Sequence, residues 1–334
     1  MELGRKDMKS LAICIPTYNR SDVLKDSFAY ELDACHDLGI DIYLYDSSDD
    51  GRTKELVHTL NEYENLYHIE IDSSVSLDEK VVMIFQSYGR QKKHDYLWLV
   101  GDSVSFGREL LERICKMVLL EPTMIFINNE DLQNLGDKEY SSVEEIFREL
   151  FWKSSLWGSI IVQESLYDDV DWETYIQKFV GTDQISVGLH WYRLASVQNF
   201  KAFLLSVRKG IDMRKSTLKK IAWWKGKECG SETVYRVWAR GLVQTVYQLP
   251  FSEADIEAAL ETQRRYAKTF HWLGLCRSRK DGVYNLDIYR KYGKEIKIIS
   301  RYPDILLHTI AITPIIPMKI IVRLADMIRY YQKE

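Results

Sequence analysis

Over its first hundred residues the chain alternates between short unbroken apolar runs and longer stretches whose apolar positions recur every three or four residues. The runs are LAICIP (Leu11 to Pro16), IDIYLYD (Ile40 to Asp46), LYHIEID (Leu66 to Asp72) and DYLWLVGD (Asp95 to Asp102). Rich in β-branched and aromatic residues and bounded by polar clusters, they predict strands. The intervening stretches SDVLKDSFAYELDACHDLG, GRTKELVHTLNEYEN and SLDEKVVMIFQSYGRQKK predict helices. Strands and helices in strict alternation read as a parallel sheet with crossover helices, an α/β doubly wound architecture.

A further helix (Glu109 to Leu120) and strand (Thr123 to Asn128) extend this pattern, which then turns irregular and aromatic through Phe151 to Ser165. Ser142, with Glu145 three residues on, predicts a capped helix start. Beyond Lys209 no strand of comparable strength follows, and helices are predicted over Ser231 to Gln248, Ser252 to Leu273 and Asp304 to Gln332. The expected division is 1–210, the α/β domain, and 211–334, a helical region.

The C-terminal stretch ILLHTIAITPIIPMKIIVRLADMIRYYQKE is the most apolar of the chain. Pro314, Pro317, Lys319 and Arg323 interrupt it before it reaches the roughly 20 apolar residues of a bilayer crossing. Basic residues and tyrosines around an apolar face suit a helix lying in the headgroup region, so peripheral membrane contact through 303–334 is expected. Packing against its own domain or a second copy is the equal alternative.

At 334 residues the chain can bury two cores, and 46% apolar with 28% charged residues is the balance of a folded protein. A net charge of −4 excludes a general nucleic-acid binder, which needs a concentrated basic face. Five scattered cysteines without a CxxC pair suggest neither a disulfide framework nor a zinc knuckle, and seven histidines show no metal-ligand spacing. With no secretory pattern in MELGRKDMKS, the expected location is cytoplasmic, at the inner face of the cell membrane if the C-terminal contact forms.

In an open α/β sheet ligands bind beyond the carboxyl ends of the strands, so the residues at those ends are the candidates for chemistry. The first strand leaves through ICIPTYNR, where Thr17 and Tyr18 are placed for a nucleotide base; the plainer reading makes Pro16 a strand terminator and Asn19 a turn residue. The second ends at Asp46, followed by SSDDGRT, and an acid there can accept a hydrogen bond from a base imide N–H. The fourth ends in LWLVGDSVSF with Asp102, which can hold a divalent cation against a diphosphate or cap the helix that follows.

The succession CIPTYNR, YDSSDDGRT and YLWLVGDS resembles the family two glycosyltransferases of the GT-A fold, particularly those of bacterial surface-polysaccharide synthesis, over roughly residues 9 to 200. The resemblance implies a Rossmann-like nucleotide-sugar-binding domain with a mostly parallel sheet and a nucleoside-diphosphate sugar donor, expected to be UDP-linked. Pro16, Thr17, Tyr18, Arg20 and Asp46 would surround the donor, with Asp102 and Ser103 at the diphosphate and a manganese or magnesium ion on Asp102. The family's usual second carboxylate is missing, since this chain reads Gly101-Asp102-Ser103-Val104. Lys80 either supplies positive charge to the diphosphate or is a solvated surface lysine.

Inverting members deprotonate the acceptor hydroxyl with a carboxylate, and Asp183, in FVGTDQISVGLHWYRLAS, resembles the family's acid at the start of a late helix. Its alternative role is to cap that helix with Thr182; Glu130 and Asp131 are reserve candidates. Nine tryptophans and twenty-one tyrosines should mostly be core, with Trp152, Trp157 and Trp191 the candidates for stacking a glycan or lipid-linked acceptor. His190 reads as a core or surface histidine before a ligand. A non-catalytic glycosyltransferase-like or glycan-binding subunit is the alternative function, and a nucleotidyltransferase a weaker one, since PTYNR is no Gly-rich phosphate loop.

Overall fold

A computed structural model describes residues 9–25, 28–87, 94–129, 135–207, 211–213, 232–267 and 269–331. Glu130, Asp131, Cys229, Trp223 and Trp224 lie outside the described residues. The chain divides into two compact units: the described residues within Met1–Glu145, Ser154–Val180 and Ile185–Ile221 form one, and those within Ile146–Lys153, Gly181–Gln184 and Ala222–Glu334 the other. Against an expected single boundary near 210, two short segments of the earlier chain thus cluster with the C-terminal helices.

The first unit is built on an eight-stranded, mostly parallel sheet in the order β3-β2-β1-β4-β8-β6-β9-β7. Its strands are β1 (Leu11–Thr17), β2 (Asp41–Asp46), β3 (Leu66–Glu70), β4 (Tyr96–Leu99), β6 (Met124–Asn129), β7 (Lys138–Tyr140), β8 (Ile160–Gln163) and β9 (Ala202–Val207). β5 (Val104–Phe106) pairs separately with β10 (Ile211–Met213), antiparallel. Every residue of β1 and of β2 is buried, which is why a strand covered on both faces reads as a continuous apolar run and not as an alternating one. Ile13, Ile15, Ile42 and Leu44 pack with Leu32 and Cys35 of α2 (Phe28–Leu38) and Leu111 and Ile114 of α5 (Arg108–Val118).

The predicted helix over 21–39 falls into α1 (Ser21–Leu24) and α2. α2 stops because Gly39, at φ +67°, takes the left-handed conformation of a Schellman cap, with Gly39 N–H donating to His36 and Ile40 N–H to Cys35. α3 (Arg52–His58) is half its predicted length, and α4 (Leu77–Ser87) packs on β1 and on α8 (Ile185–Leu194). α6 (Val143–Leu150) starts at the predicted cap: Glu145 N–H donates to Ser142 Oγ at 3.1 Å. α7 (Trp172–Phe179) is capped by Asp171.

The chain runs outward through β1, β2 and β3 and then returns to lay β4 on the other side of β1. The reversal between β1 and β4 is a topological switch point, where an open α/β sheet forms its ligand crevice.

The second unit holds a helical segment through Thr233–Tyr235, π-helical Arg236–Gly241 and Leu242–Val246. There follow α9 (Glu253–Tyr266), α10 (Trp272–Lys280), α11 (Leu286–Ile299), α12 (Asp304–Ile312) and α13 (Ile315–Tyr331). Aromatic rings fill its interior: Phe147 stacks on Phe251 at 3.9 Å, Trp152 on Tyr266 at 5.5 Å and Tyr235 on Tyr284 at 5.7 Å. Much of the unusual aromatic content is thereby spent on a core.

Candidate functional site

Thr17 and Asp46 are register partners at the tips of β1 and β2. On the other flank β1 pairs with β4 as far as Cys14 opposite Leu99, and Val100 N–H continues the ladder onto the Cys14 carbonyl. The β4 exit turn therefore arrives beside the end of β1, and Thr17 Oγ1 donates to Asp102 Oδ2 at 3.1 Å. Pro16 lies beyond the last β1–β4 pair, so its missing N–H interrupts none of those bonds. Arg20 Nε stands 3.4 Å from Asp102 Oδ1. Ser103, half-buried, follows in the same turn.

Asp102 does not cap a helix. β5 intervenes, and Gly107 occupies the residue before α5.

Lys80 is 3% exposed, so it is not a solvated surface lysine. Its Nζ donates to the Thr17 carbonyl at 2.8 Å and to Ser47 Oγ at 2.5 Å, tying the tips of β1 and β2 from beneath. Burial lowers its pKa, and the Asp46 and Asp102 carboxylates work against that shift. Burial by itself would raise the Asp46 pKa, but hydrogen bonds from His68 Nε2, at 3.0 Å, and from the Ser48 hydroxyl and N–H outweigh it and hold Asp46 below the usual value.

The two loops beyond these strands are clasped together. Asn19 sits at φ +50°; its side-chain amide donates to Asp49 Oδ1 at 2.7 Å, its side-chain carbonyl accepts from Asp49 N–H at 3.2 Å, and its backbone N–H donates to Ser48 Oγ. Tyr18 is 48% exposed and its hydroxyl donates to Asp49 at 3.3 Å. Sequence reasoning missed His68, Ser47 and the Asn19–Asp49 clasp; the only signal was Asn and Asp in two loops some thirty residues apart, readable once β1 and β2 are known to pair.

Of the three tryptophans expected to stack an acceptor, Trp191 is wholly buried, and Trp152, in the second unit, lies against Tyr266. Trp157 remains half-buried next to the Asp102 turn: a Cβ on Gly101 would meet its Cβ at 3.5 Å. It lines a small recess with Leu99, Ser154, Ser186 and His190. His190 is a core histidine, its Nδ1 2.7 Å from the Tyr167 hydroxyl, and burial pushes its pKa down to about 3.

Asp183 belongs to the second unit. It holds φ +56°, a conformation Asp tolerates better than most residues, and its carboxylate pairs with the Arg236 guanidinium of the π-helical turn. Burial raises its pKa and Arg236 offsets part of the rise. One residue before Asp183, Thr182 Oγ1 accepts from Gln184 N–H at 3.1 Å. Gly241 presses on the same loop, since a Cβ there would overlap the Thr182 carbonyl oxygen.

The chemistry of the donor set does not fit a protein-held divalent cation. Asp102 is a single carboxylate with Thr17 on one oxygen and Arg20 beside the other, and among the described residues no three His, Cys, Asp or Glu side chains group to hold a metal ion. Among the same residues, Arg20 and Lys80 bring positive charge to the β1–β4 switch point.

A mostly parallel sheet with a polar crevice at its switch point, followed by helices, is the GT-A glycosyltransferase fold. Solved structures sharing it include residues 1–349 of S. aureus TarS in complex with UDP-GlcNAc, at 13% identity and TM-score 0.50, covering 90% of this chain and 87% of that one. S. aureus TarS solved at greater length gives 12% identity and TM-score 0.50, with 90% of this chain and 52% of that one covered. The mannosyltransferase PcManGT from Pyrobaculum calidifontis, solved with GDP-Man and Mn2+, gives 12% identity and TM-score 0.49, covering 91% and 84%. No protein-family profile and no curated protein sequence matches the chain.

Proposed function

We propose that the chain is an inverting glycosyltransferase that binds a nucleoside-diphosphate sugar at the tips of β1, β2 and β4 and transfers the sugar to a glycan or lipid-linked acceptor in bacterial surface-polysaccharide synthesis. The observation that carries this reading is the Thr17–Asp102 hydrogen bond at the switch point, with Arg20 and Lys80 beside it. The fold is shared with a protein solved in complex with UDP-GlcNAc. A UDP-linked donor is the first to test for the same reason.

In this reading Asp46 and Tyr18 meet the base, while Arg20, Lys80 and the Asp102–Ser103 turn manage the charge of the diphosphate. Manganese or magnesium has no step assigned to it and is a variable of the test. Asp183 is the base that takes the acceptor proton: a half-buried carboxyl with a raised pKa is suited to proton abstraction near neutral pH. The enzyme works in the cytoplasm, where nucleotide sugars are available.

The test is a screen of nucleotide sugars for hydrolysis and transfer, with and without manganese, on the natural chain and on Asp183→Asn. The variant should bind donor normally and lose roughly a hundredfold or more in transfer, the usual share of a positioned base. Normal turnover in Asp183→Asn rejects it as the base, and no turnover with any donor favours the non-catalytic subunit that the single carboxylate at β4 had suggested.

A further inference from the structure

The C-terminal unit carries an apolar surface outside the residues assigned to sugar transfer. α13 is packed along one narrow stripe, where Met318 and Val322 are 1% and 3% exposed. Around the rest of the helix Ile316, Ile320, Leu324, Met327 and Ile328 are all at least half exposed. At about 100° per residue these five side chains fall within an arc of roughly 120°, a continuous apolar face. Of the nineteen large exposed hydrophobic residues among those described, nine lie in the short stretch Ile305 to Ile328, which makes this a patch and not scatter.

Two further observations say what covers it. From Ile316 to Ile328 the face holds aliphatic and thioether side chains and none of the Trp or Tyr anchors common in protein interfaces. The charges bordering it are complementary to an anionic surface: Lys319 and Arg323, both exposed, lie one turn apart along one edge of the face. The one acid of α13, Asp326, is already paired with Arg277 of α10 at 2.5 Å.

Length and bend argue against a bilayer crossing by these helices. No single described helix is long and apolar enough, and α12 and α13, which together pass by length and composition, are bent by 116° at their junction. Pro314 stands at that break. A helix of 17 residues also spans only about 26 Å, short of the roughly 30 Å hydrocarbon core.

We propose that α13 lies in the plane of an anionic lipid bilayer, with Ile316, Ile320, Leu324, Met327 and Ile328 in the boundary between headgroups and acyl chains and with Lys319 and Arg323 on the lipid phosphates. This surface is independent of the donor crevice and does not rest on the glycosyltransferase reading.

The test is co-sedimentation of the full chain with vesicles of phosphatidylcholine alone and of phosphatidylcholine mixed with phosphatidylglycerol. Binding should require the anionic lipid and weaken as salt is raised. Replacing Lys319 and Arg323 by Gln should weaken it by about fivefold each, and Ile320→Glu with Leu324→Glu should abolish it. Unchanged thermal unfolding and unchanged nucleotide binding in the Glu variant show that only the face was altered. The proposal is overturned if the natural chain ignores anionic vesicles or if the Glu variant binds them equally. It is also overturned if light scattering finds a dimer that the Glu variant dissociates, because the face would then belong to a second copy.

Discussion

Replacing Lys80 by Met keeps the apolar stem but removes an ammonium that makes two hydrogen bonds under the crevice. Bonds from a charged donor contribute about 1.5 kcal/mol each at the low end, or about 3 kcal/mol together. Part of that is returned, because the buried ammonium is itself desolvated, as its lowered pKa records, and Met carries no such cost. The Thr17 carbonyl also keeps the Ser47 N–H at 3.2 Å, so it is not orphaned. The net expectation is a loss of about 2 kcal/mol, measurable as a lower urea midpoint with an unchanged slope, followed by the fluorescence of buried tryptophans such as Trp98. Nucleotide affinity should fall as well, since the tips of β1 and β2 lose both their tie and their positive charge. A Lys80→Met chain within about 0.5 kcal/mol of the natural one and binding nucleotide equally would refute the strut.

Two other perturbations test separate parts of the structure. His190 has a folded pKa of about 3 against 6.5 when unfolded, so the stability it confers is complete above pH 6.5 and drains away as the pH falls toward 3. Between about pH 7 and pH 5 this amounts to about 2 kcal/mol, and His190→Asn should unfold with a correspondingly flatter pH dependence; an equal slope in both chains would mean the imidazole is protonated in the fold. Gly241→Ala drives a methyl group into the Thr182 carbonyl and should cost about 1–3 kcal/mol while displacing the loop that holds Asp183. Transfer should drop with it, and an Ala chain as stable and as active as the natural one would show that the close approach is not made.

The sheet's inner half was legible because β1, β2 and β4 are buried on both faces and so appear as uninterrupted apolar runs. Of the outer half only β6 was, as the strand expected over Thr123 to Asn128: β7 is three residues long, and β8 is only four, Ile160–Gln163, set in an aromatic stretch whose hydropathy has no strand period. Asp46 and Asp102 could be picked out as acids ending strands, but the burial of Lys80 could not, because hydropathy marks every lysine as exposed. Nor could the pairing of Asp183 with Arg236, fifty-three positions later, since contacts between distant polar residues leave no periodic trace. The sequence also made Trp191 look like a stacking platform, when it is one of the largest wholly buried side chains.

The most direct measurement is calorimetric titration of uridine, thymidine and guanosine diphosphates, each with and without manganese, into the natural chain and into Arg20→Ala, which removes positive charge from the switch point. Saturable binding of at least one nucleotide by the natural chain, weakened roughly tenfold or more in the variant, is the predicted result. A natural chain that binds none of them, or a variant that binds as well as its parent, would contradict the assignment of the β1–β4 switch point as a donor site.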